Sequence, residues 1–321
     1  MYSMNTTERS ESSFDVDAFE EYRRLLFAIA YRMVGTAMEA EDIVQETYLR
    51  YRSAQNAQID NLKAYLTTIT TRLCLDYLKS AQTQRQNYFG VWLPEPVAGD
   101  EALVVEPVDP APTPAEIITQ EESISMAFLV ILEQLTPVER AVLVLRGVFD
   151  YDYPEIAVMV GKSEANCRQI FHRAQAQVRA QRPRFDVAPE THAALVTHFM
   201  AAVQEGDFDA MLQMLTGDVT FVSDGGGKAS AILHPLTGPD KVQRFLVGLV
   251  AKGGHLFTVA TGQINGRLGV LLYNLDGGLE AAFIFDVVPD ATAPVGGARI
   301  GHIYAMRNPE KLARLAKAIS D

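Results

Sequence analysis

The sequence predicts two helical domains, the second carrying a helix-turn-helix, followed by an α+β domain. Three observations carry this. Apolar residues recur at spacings of three and four through residues ~14–88 and ~116–184. A proline-rich acidic stretch separates those blocks. Beyond residue ~188 the period shifts towards two, with glycine-containing turns between the apolar runs. A chain of 321 residues has room for two or three such domains.

In the first block Phe19, Tyr22, Leu26, Ile29 and Met33 form one amphipathic stripe, and Leu62, Leu66, Ile69, Leu73 and Tyr77 form another. Residues 89–115 contain "WLPEP" (Trp92 to Pro96) and the Asp and Glu residues around it, and read as an extended linker. In the second block, residues 116–184, Ile117, Ile124, Phe128, Ile131 and Leu135 share a face. "TPVE", Thr136 to Glu139, is a capping box with proline at the first helical position, and starts a helix through about Val148. The third block, residues 188–306, opens with two short helices. The strand-like runs "VTFVS", "LFTVATGQI", "LGVLLYNL", "LEAAFIFDVV" and "RIGHIYAM" follow. Asn265-Gly266 and Asp276-Gly277-Gly278 are hairpin signals. The expectation is helices on one side of a curved antiparallel sheet. Residues 307–321 form a tail in which Asn308 is an N-cap and Pro309 the first helical residue.

The formal net charge of −12 argues on average against a nucleic-acid binder, yet the charge is segregated. Lys162, Arg168, Arg173, Arg179, Arg182 and Arg184 stand against the single acid Glu164. Such a segment is a local nucleic-acid footprint or, at its plainest, a solvated basic helix end. Cys74 and Cys167 are the only cysteines, so neither a disulfide framework nor a metal site is expected, and a reducing cytoplasm fits. The polar, acidic N-terminus does not read as a signal peptide, and no apolar run reaches membrane-span length.

The basic segment coincides with a helix-turn-helix. A short helix from Pro154 to Val160 ends at Gly161, and Ser163 caps a second helix. Ile156, Ala157, Val160, Ile170 and Ala174 are placed to fill the corner. Glu164, Arg168, Gln169, His172 and Arg173 are left outward, where such a motif presents residues to the major groove. Arg suits guanine and Gln suits adenine at base edges, while Lys162 and Arg179 are placed for phosphates. An ordinary helical hairpin with a basic surface is the alternative.

Together these segments resemble a known family. "EAEDIVQETYLRYR" (Glu39 to Arg52) is similar to the polymerase-binding helix of bacterial sigma factors, and "NLKAYLTTITTRLCLDYLKSA" (Asn61 to Ala81) to the promoter-melting helix. The helix-turn-helix is similar to the sigma domain that reads the −35 element. The pair resembles the extracytoplasmic-function (ECF) sigma factors. "WLPEP", "DGGGK" (Asp224 to Lys228) and "NPEKL" (Asn308 to Leu312) resemble the SigJ-like subgroup, which carries a fused C-terminal SnoaL-like, ketosteroid-isomerase-like cone. Tyr65 stands where many members have tryptophan.

The resemblance implies a cytoplasmic transcription initiation factor without cofactor, whose partners are core RNA polymerase and promoter DNA. It makes the polar face of Asp42, Gln45 and Glu46 the polymerase dock. It gives −10 recognition to Tyr51, Asn56, Asn61, Lys63, Tyr65 and Arg72, with the two tyrosines as stacking platforms or else as core. It gives −35 recognition to Lys162, Ser163, Arg168, Gln169, His172, Arg173 and Arg179. It turns Trp92, Leu93, Pro94, Asp224, Gly225, Gly226, Gly227, Lys228, Asn308, Pro309, Lys311 and Leu312 into a regulatory contact between the cone and the sigma domains.

"VSDGGGKAS" also invites comparison with a phosphate-binding loop. Read back from Gly227-Lys228, the first glycine position is Val222, and Ala229 replaces the required hydroxyl residue. A turn in which glycines supply positive φ is the expectation. Two other readings of the cone stay open. It could sense a small ligand, or catalyse proton transfer with side chains such as Asp224, His234, Tyr273, His302 or Tyr304. An ordinary helix-turn-helix repressor is disfavoured by the first helical block, which that function does not need.

Overall fold

A computed structural model of the chain describes residues 16–54, 59–99, 118–181 and 187–320. Three helices make the first domain: α1 (Val16–Val34), α2 (Ala37–Ser53) and α3 (Leu62–Gln86). Five make the second: α4 (Gln120–Ile124), α5 (Met126–Leu132), α6 (Pro137–Gly147), α7 (Tyr153–Val160) and α8 (Glu164–Gln181). The single stripe expected across α4 and α5 is broken at Ser125, whose extended backbone ends one helix and whose hydroxyl caps the next through the Phe128 amide. Ile117 lies outside the described residues. The capping box at α6 forms as expected, with Thr136 and Glu139 satisfying each other's backbone N–H groups.

The two helical domains share one apolar core. Phe19, Leu26 and Ile29 from α1 join Phe128, Leu143 and Phe171 from the second domain. Arg140 on α6 ties them further, donating to the Met33 carbonyl at 2.6 Å and to Glu133 at 2.6 Å. Burial lowers its pKa to about 10, which leaves it charged at neutral pH and therefore dependent on those acceptors.

The third domain contains α9 (Pro189–Glu205), α10 (Phe208–Met214), α11 (Pro239–Gly253) and α12 (Pro309–Ser320). Its strands are β1 (Leu215–Asp224), β2 (Leu236–Thr237), β3 (Phe257–Ile264), β4 (Arg267–Asn274), β5 (Leu279–Pro289) and β6 (Ala298–Met306). They form one sheet in the order β2-β1-β6-β5-β4-β3. The sheet is mixed rather than antiparallel, because β1 and β6 pair in parallel. That pair closes through the long connection running from β1 through the rest of the sheet, which allows a parallel register. β2 is two residues long and pairs with Thr220 and Phe221 of β1.

Period-2 alternation gives the sheet two different faces. Phe221, Phe283, Phe285 and Ile303 point under α9, α10 and α11 into one core. Leu271, Ala282, Ile284, Tyr304 and Met306 point the other way, against Leu93, Met126 and the α12 residues Leu312 and Leu315. The segment expected to be an open linker is, in its first part, a packed element. Leu93, Pro94, Glu95, Pro96 and Val97 are all buried. Its polar backbone is satisfied from both sides. The Glu95 amide donates to Gly35, and the Val97 carbonyl accepts from the Asn265 amide, each near 2.9 Å. Residues 100–117, the rest of that stretch, lie outside the described residues.

Candidate functional site

The Asp224 carboxylate is the centre of the contact between the third domain and the rest. It is fully buried and collects four hydrogen bonds. Oδ1 accepts from the Tyr88 hydroxyl at 2.6 Å and from the Gly226 amide at 2.9 Å. Oδ2 accepts from the Leu93 amide at 2.9 Å and from the Lys311 ammonium at 2.7 Å. Lys311 also donates to the Leu93 carbonyl and lies 4.2 Å from the centre of the Trp92 ring. A charge pair this deep is tolerable only with its remaining lone pairs and protons satisfied, and these are. Burial first, and the Asp224 carboxylate second, push the Tyr88 hydroxyl well above its ordinary pKa, so Tyr88 remains a donor.

The glycines make this approach possible. Gly226 and Gly227 take φ of +60° and +71°. A Cβ at Gly226 would collide with the Asn308 amide, which itself donates to Tyr88 at 3.0 Å. Gly225 has the Ala229 carbonyl where its Cβ would be. The expected role of Lys228 changes: it pairs with Glu310 on α12, and Lys311 supplies the buried cation. Pro309, exposed, starts α12, and Leu312 is buried on its apolar edge. Pro94 is buried beside Leu93.

In the helix-turn-helix, Gly161 has φ +67° and ends α7, and the Ser163 hydroxyl accepts from the Asn166 amide to start α8. Ile156, Val160, Ile170 and Ala174 are buried in the corner, with Cys167 beside them. Lys162, Ser163, Arg168, Gln169, His172, Arg173 and Arg179 are all exposed. Arg168 sits over the Tyr153 ring at 4.8 Å and near Glu164, while Arg173 is held by Glu139 at 2.7 Å. On α2, Asp42 and Gln45 are exposed and Glu46 is half-exposed, paired to Arg50. Two large apolar side chains flank them on the same face, Met38 at 62% and Leu49 at 49% exposure.

Residues 18–84 match Sigma-70 region 2, and residues 125–178 match Sigma-70 region 4. The chain is 38% identical over 303 residues to the ECF RNA polymerase sigma factor SigJ of Mycobacterium tuberculosis H37Rv, covering 92% of this chain and 93% of that protein. The chain belongs to the ECF RNA polymerase sigma factors. The crystal structure of the Mycobacterium tuberculosis SigJ superposes with a TM-score of 0.69 at 32% identity, over 94% of this chain and 99% of that one. The probable sigma factor SigI of Mycobacterium tuberculosis is 36% identical over 200 residues, 62% of this chain and 66% of that protein. The helical sigma domains followed by a domain of helices on a mixed sheet are therefore the architecture of a sigma factor that directs transcription initiation.

Within this sigma factor the side chains expected at the −10 element are scattered and partly covered. Tyr51 is only 6% exposed and stacks on Phe19, so its ring is core rather than an open platform. Asn56 lies outside the described residues. The Asn61 side chain caps α3 through the Ala64 amide. Tyr65 is half-buried. Lys63 lies over the Tyr151 ring, and Arg72 donates to the Val158 carbonyl at 2.9 Å. Both of the latter partners belong to region 4, which packs α7 across α3. The Thr67 and Tyr151 hydroxyls, 2.8 Å apart, close that contact.

The residues missed from the sequence are those that stitch the domains together. Glu95 accepts from the Ala37 amide at 2.8 Å and so caps α2 from another segment. Burial raises its pKa, and the amides of Met38 and Ala37 oppose that. The Asn265 side-chain amide donates to the Tyr31 hydroxyl and to the Ile124 carbonyl. Arg314 reaches Glu41 and lies over Phe27. Glu95 stood in "WLPEP" and Asn265 in a hairpin signal, but neither pattern names a distant partner. Among the described residues, no group of three or more His, Cys, Asp or Glu is arranged for a metal ion. Among them, no helix is long and apolar enough to cross a membrane.

Proposed function

We propose that this sigma factor docks on core RNA polymerase through α2 and reads −35 DNA through α8. We further propose that its cone regulates both steps in cis by clamping the region 2–region 4 arrangement through Asp224. The observation that carries this reading is the buried Asp224–Lys311 pair on the "WLPEP" backbone, since it joins the cone to the connection between the two sigma domains. Tethering makes even a weak contact of this kind effective, at local concentrations up to the millimolar range. The site of action is the cytoplasm, where polymerase works, and the exposed basic face of α8 serves DNA despite the acidic chain. The test is transcription from one promoter by the full chain and by a chain ending at Arg307, at matched concentrations. Changed output with an unchanged −35 preference supports the clamp. Equal output from two folded proteins would remove the cone from regulation.

Two further results are expected. Arg168→Ala or Gln169→Ala should weaken binding to a cognate −35 duplex by roughly 1–3 kcal/mol and relax preference at the contacted base pair. Titration of duplexes with single base changes checks it, and unaltered preference in both variants would place the base readout elsewhere. Met38→Ser with Leu49→Ser should weaken core-polymerase binding by roughly 2 kcal/mol, because exposed apolar side chains beside charged ones mark a docking face. Competition against the unsubstituted protein measures it.

The cone is read as non-catalytic. Its cavity is walled by aromatic and aliphatic side chains, and Asp224, His234, Tyr273, His302 and Tyr304 are not among those that line it. Asp224 and Tyr304 instead face the opposite side of the sheet.

A further inference from the structure

The cone encloses a cavity of about 420 Å³ between the sheet and α9 and α11. Close-packed interiors leave few voids larger than a water molecule, and small-molecule pockets span roughly 300–1,000 Å³. Phe199, Phe221, Phe245 and Phe283 supply much of its wall. It opens between α11 and β3, where the lining residues Leu249, Val250 and Val259 are 37%, 41% and 39% exposed. Apolar groups left in solvent at a mouth suit an apolar entrant. The polar lining is confined to a few groups, chiefly Ser223, Ser230, Glu280 and Arg307. Arg307 donates to the Ser230 carbonyl at 2.8 Å and lies 3.8 Å from Glu280, so the two charges offset each other. An occupant therefore meets hydrogen-bonding groups at one end but no uncompensated charge.

The cavity and the clamp share their walls. Ser223 lines the cavity, and the next residue, Asp224, is the centre of the clamp. Arg307 lines the cavity, its amide donates to the Asp224 carbonyl at 2.7 Å, and the next residue, Asn308, holds Tyr88. The loop after β1 does the same at larger scale. Gly225 to Gly227 approach the clamp, whereas Ser230, Ala231 and Ile232 line the cavity. The Ser223 hydroxyl accepts from the Ile232 amide at 3.0 Å and joins the two parts of that loop.

We infer that this cavity is a binding site for a neutral, largely apolar small molecule with one hydrogen-bonding end, and that its occupancy is transmitted through Ser223–Asp224 and Arg307–Asn308 to the clamp. The transmission rests on the proposed regulation in cis; the binding does not. N-phenyl-1-naphthylamine, a neutral fluorophore of suitable size, is titrated into the full chain. A saturable rise in emission is expected, with 1-decanol displacing the probe and decanoate displacing it less well.

Ala281→Phe places a ring in the cavity, and Leu249→Glu places a charge at the half-open mouth without disturbing the core. Each should weaken the probe about tenfold or more. Trp92, the sole tryptophan, lies in the clamp and reports the second half. Saturating 1-decanol, which is optically silent, should shift Trp92 emission in the unsubstituted chain and not in Ala281→Phe. The absence of saturable probe binding overturns the site, as does equal binding by both folded variants. Better displacement by decanoate overturns the neutral ligand class. Binding with unchanged Trp92 emission overturns the transmission while leaving the site intact.

Discussion

Asp224→Ala is expected to release the cone from the "WLPEP" segment while both sigma domains stay folded. The substitution removes the carboxylate that pairs with the buried Lys311 ammonium, which keeps its bond to the Leu93 carbonyl and its place over the Tyr88 and Trp92 rings. Breaking a buried pair by removing one partner costs about 3–5 kcal/mol, largely the penalty of the remaining charge. Tyr88 and the Leu93 amide lose an acceptor as well, and these losses are not additive. Trp92 emission should move to the red as its ring gains water, and proteases should begin to cut within residues 88–99. The helical core should keep its circular dichroism, because Asp224 touches none of it. Asp224→Asn separates charge from shape: it retains an acceptor oxygen yet removes the negative charge set against Lys311, and should release the contact nearly as well. Unchanged emission and proteolysis in both variants would mean that the apolar packing of Leu93, Leu312 and Leu315 is enough on its own.

Reversing charge at Asp42 and Glu46, as Asp42→Lys with Glu46→Lys, is expected to abolish co-purification with core polymerase. Both side chains are on the solvent side of α2, so the fold loses only the exposed pair of Glu46 with Arg50. Such a pair contributes about 0.3–0.5 kcal/mol, far below the stability of a domain. Like charges set against a partner's positive surface cost several kcal/mol, so a micromolar or nanomolar dock would fall beyond detection. Asp42→Asn with Glu46→Gln should give an intermediate loss. Full co-purification of the reversed protein, with unaltered circular dichroism, would move the dock off this face.

How legible these sites were depends on how local their determinants are. The helix-turn-helix could be read directly, because Gly161, Ser163 and the corner residues lie within about twenty positions of one another. The α2 face was half legible. Its polar residues followed from helical spacing, while Met38 and Leu49 looked like ordinary apolar members of a helix until their exposure was known. Tyr51 is the converse, an aromatic residue whose period fits either a platform or a core and which packs on Phe19. The proline-rich segment was the least legible. Prolines and acids normally mark solvated chain, yet here Glu95 caps α2 and Pro94 and Pro96 are buried.

The sequence by itself determined the helices apart from the break at Ser125, the strands of the cone apart from their parallel pair, the family, and the motifs that carry them. The elements follow from capping, turn chemistry and periodicity, which act over a few residues, and the family from the resemblance of the motifs. Only the tertiary structure decided that region 4 lies across α3, with Arg72 on the Val158 carbonyl. It alone decided that Lys311, rather than Lys228, neutralises Asp224, and that Ser223 and Asp224 serve opposite faces of one sheet. The physical reason is desolvation. A buried carboxylate selects whichever cation can be held beside it in the folded chain, and that cation lies 87 positions further along.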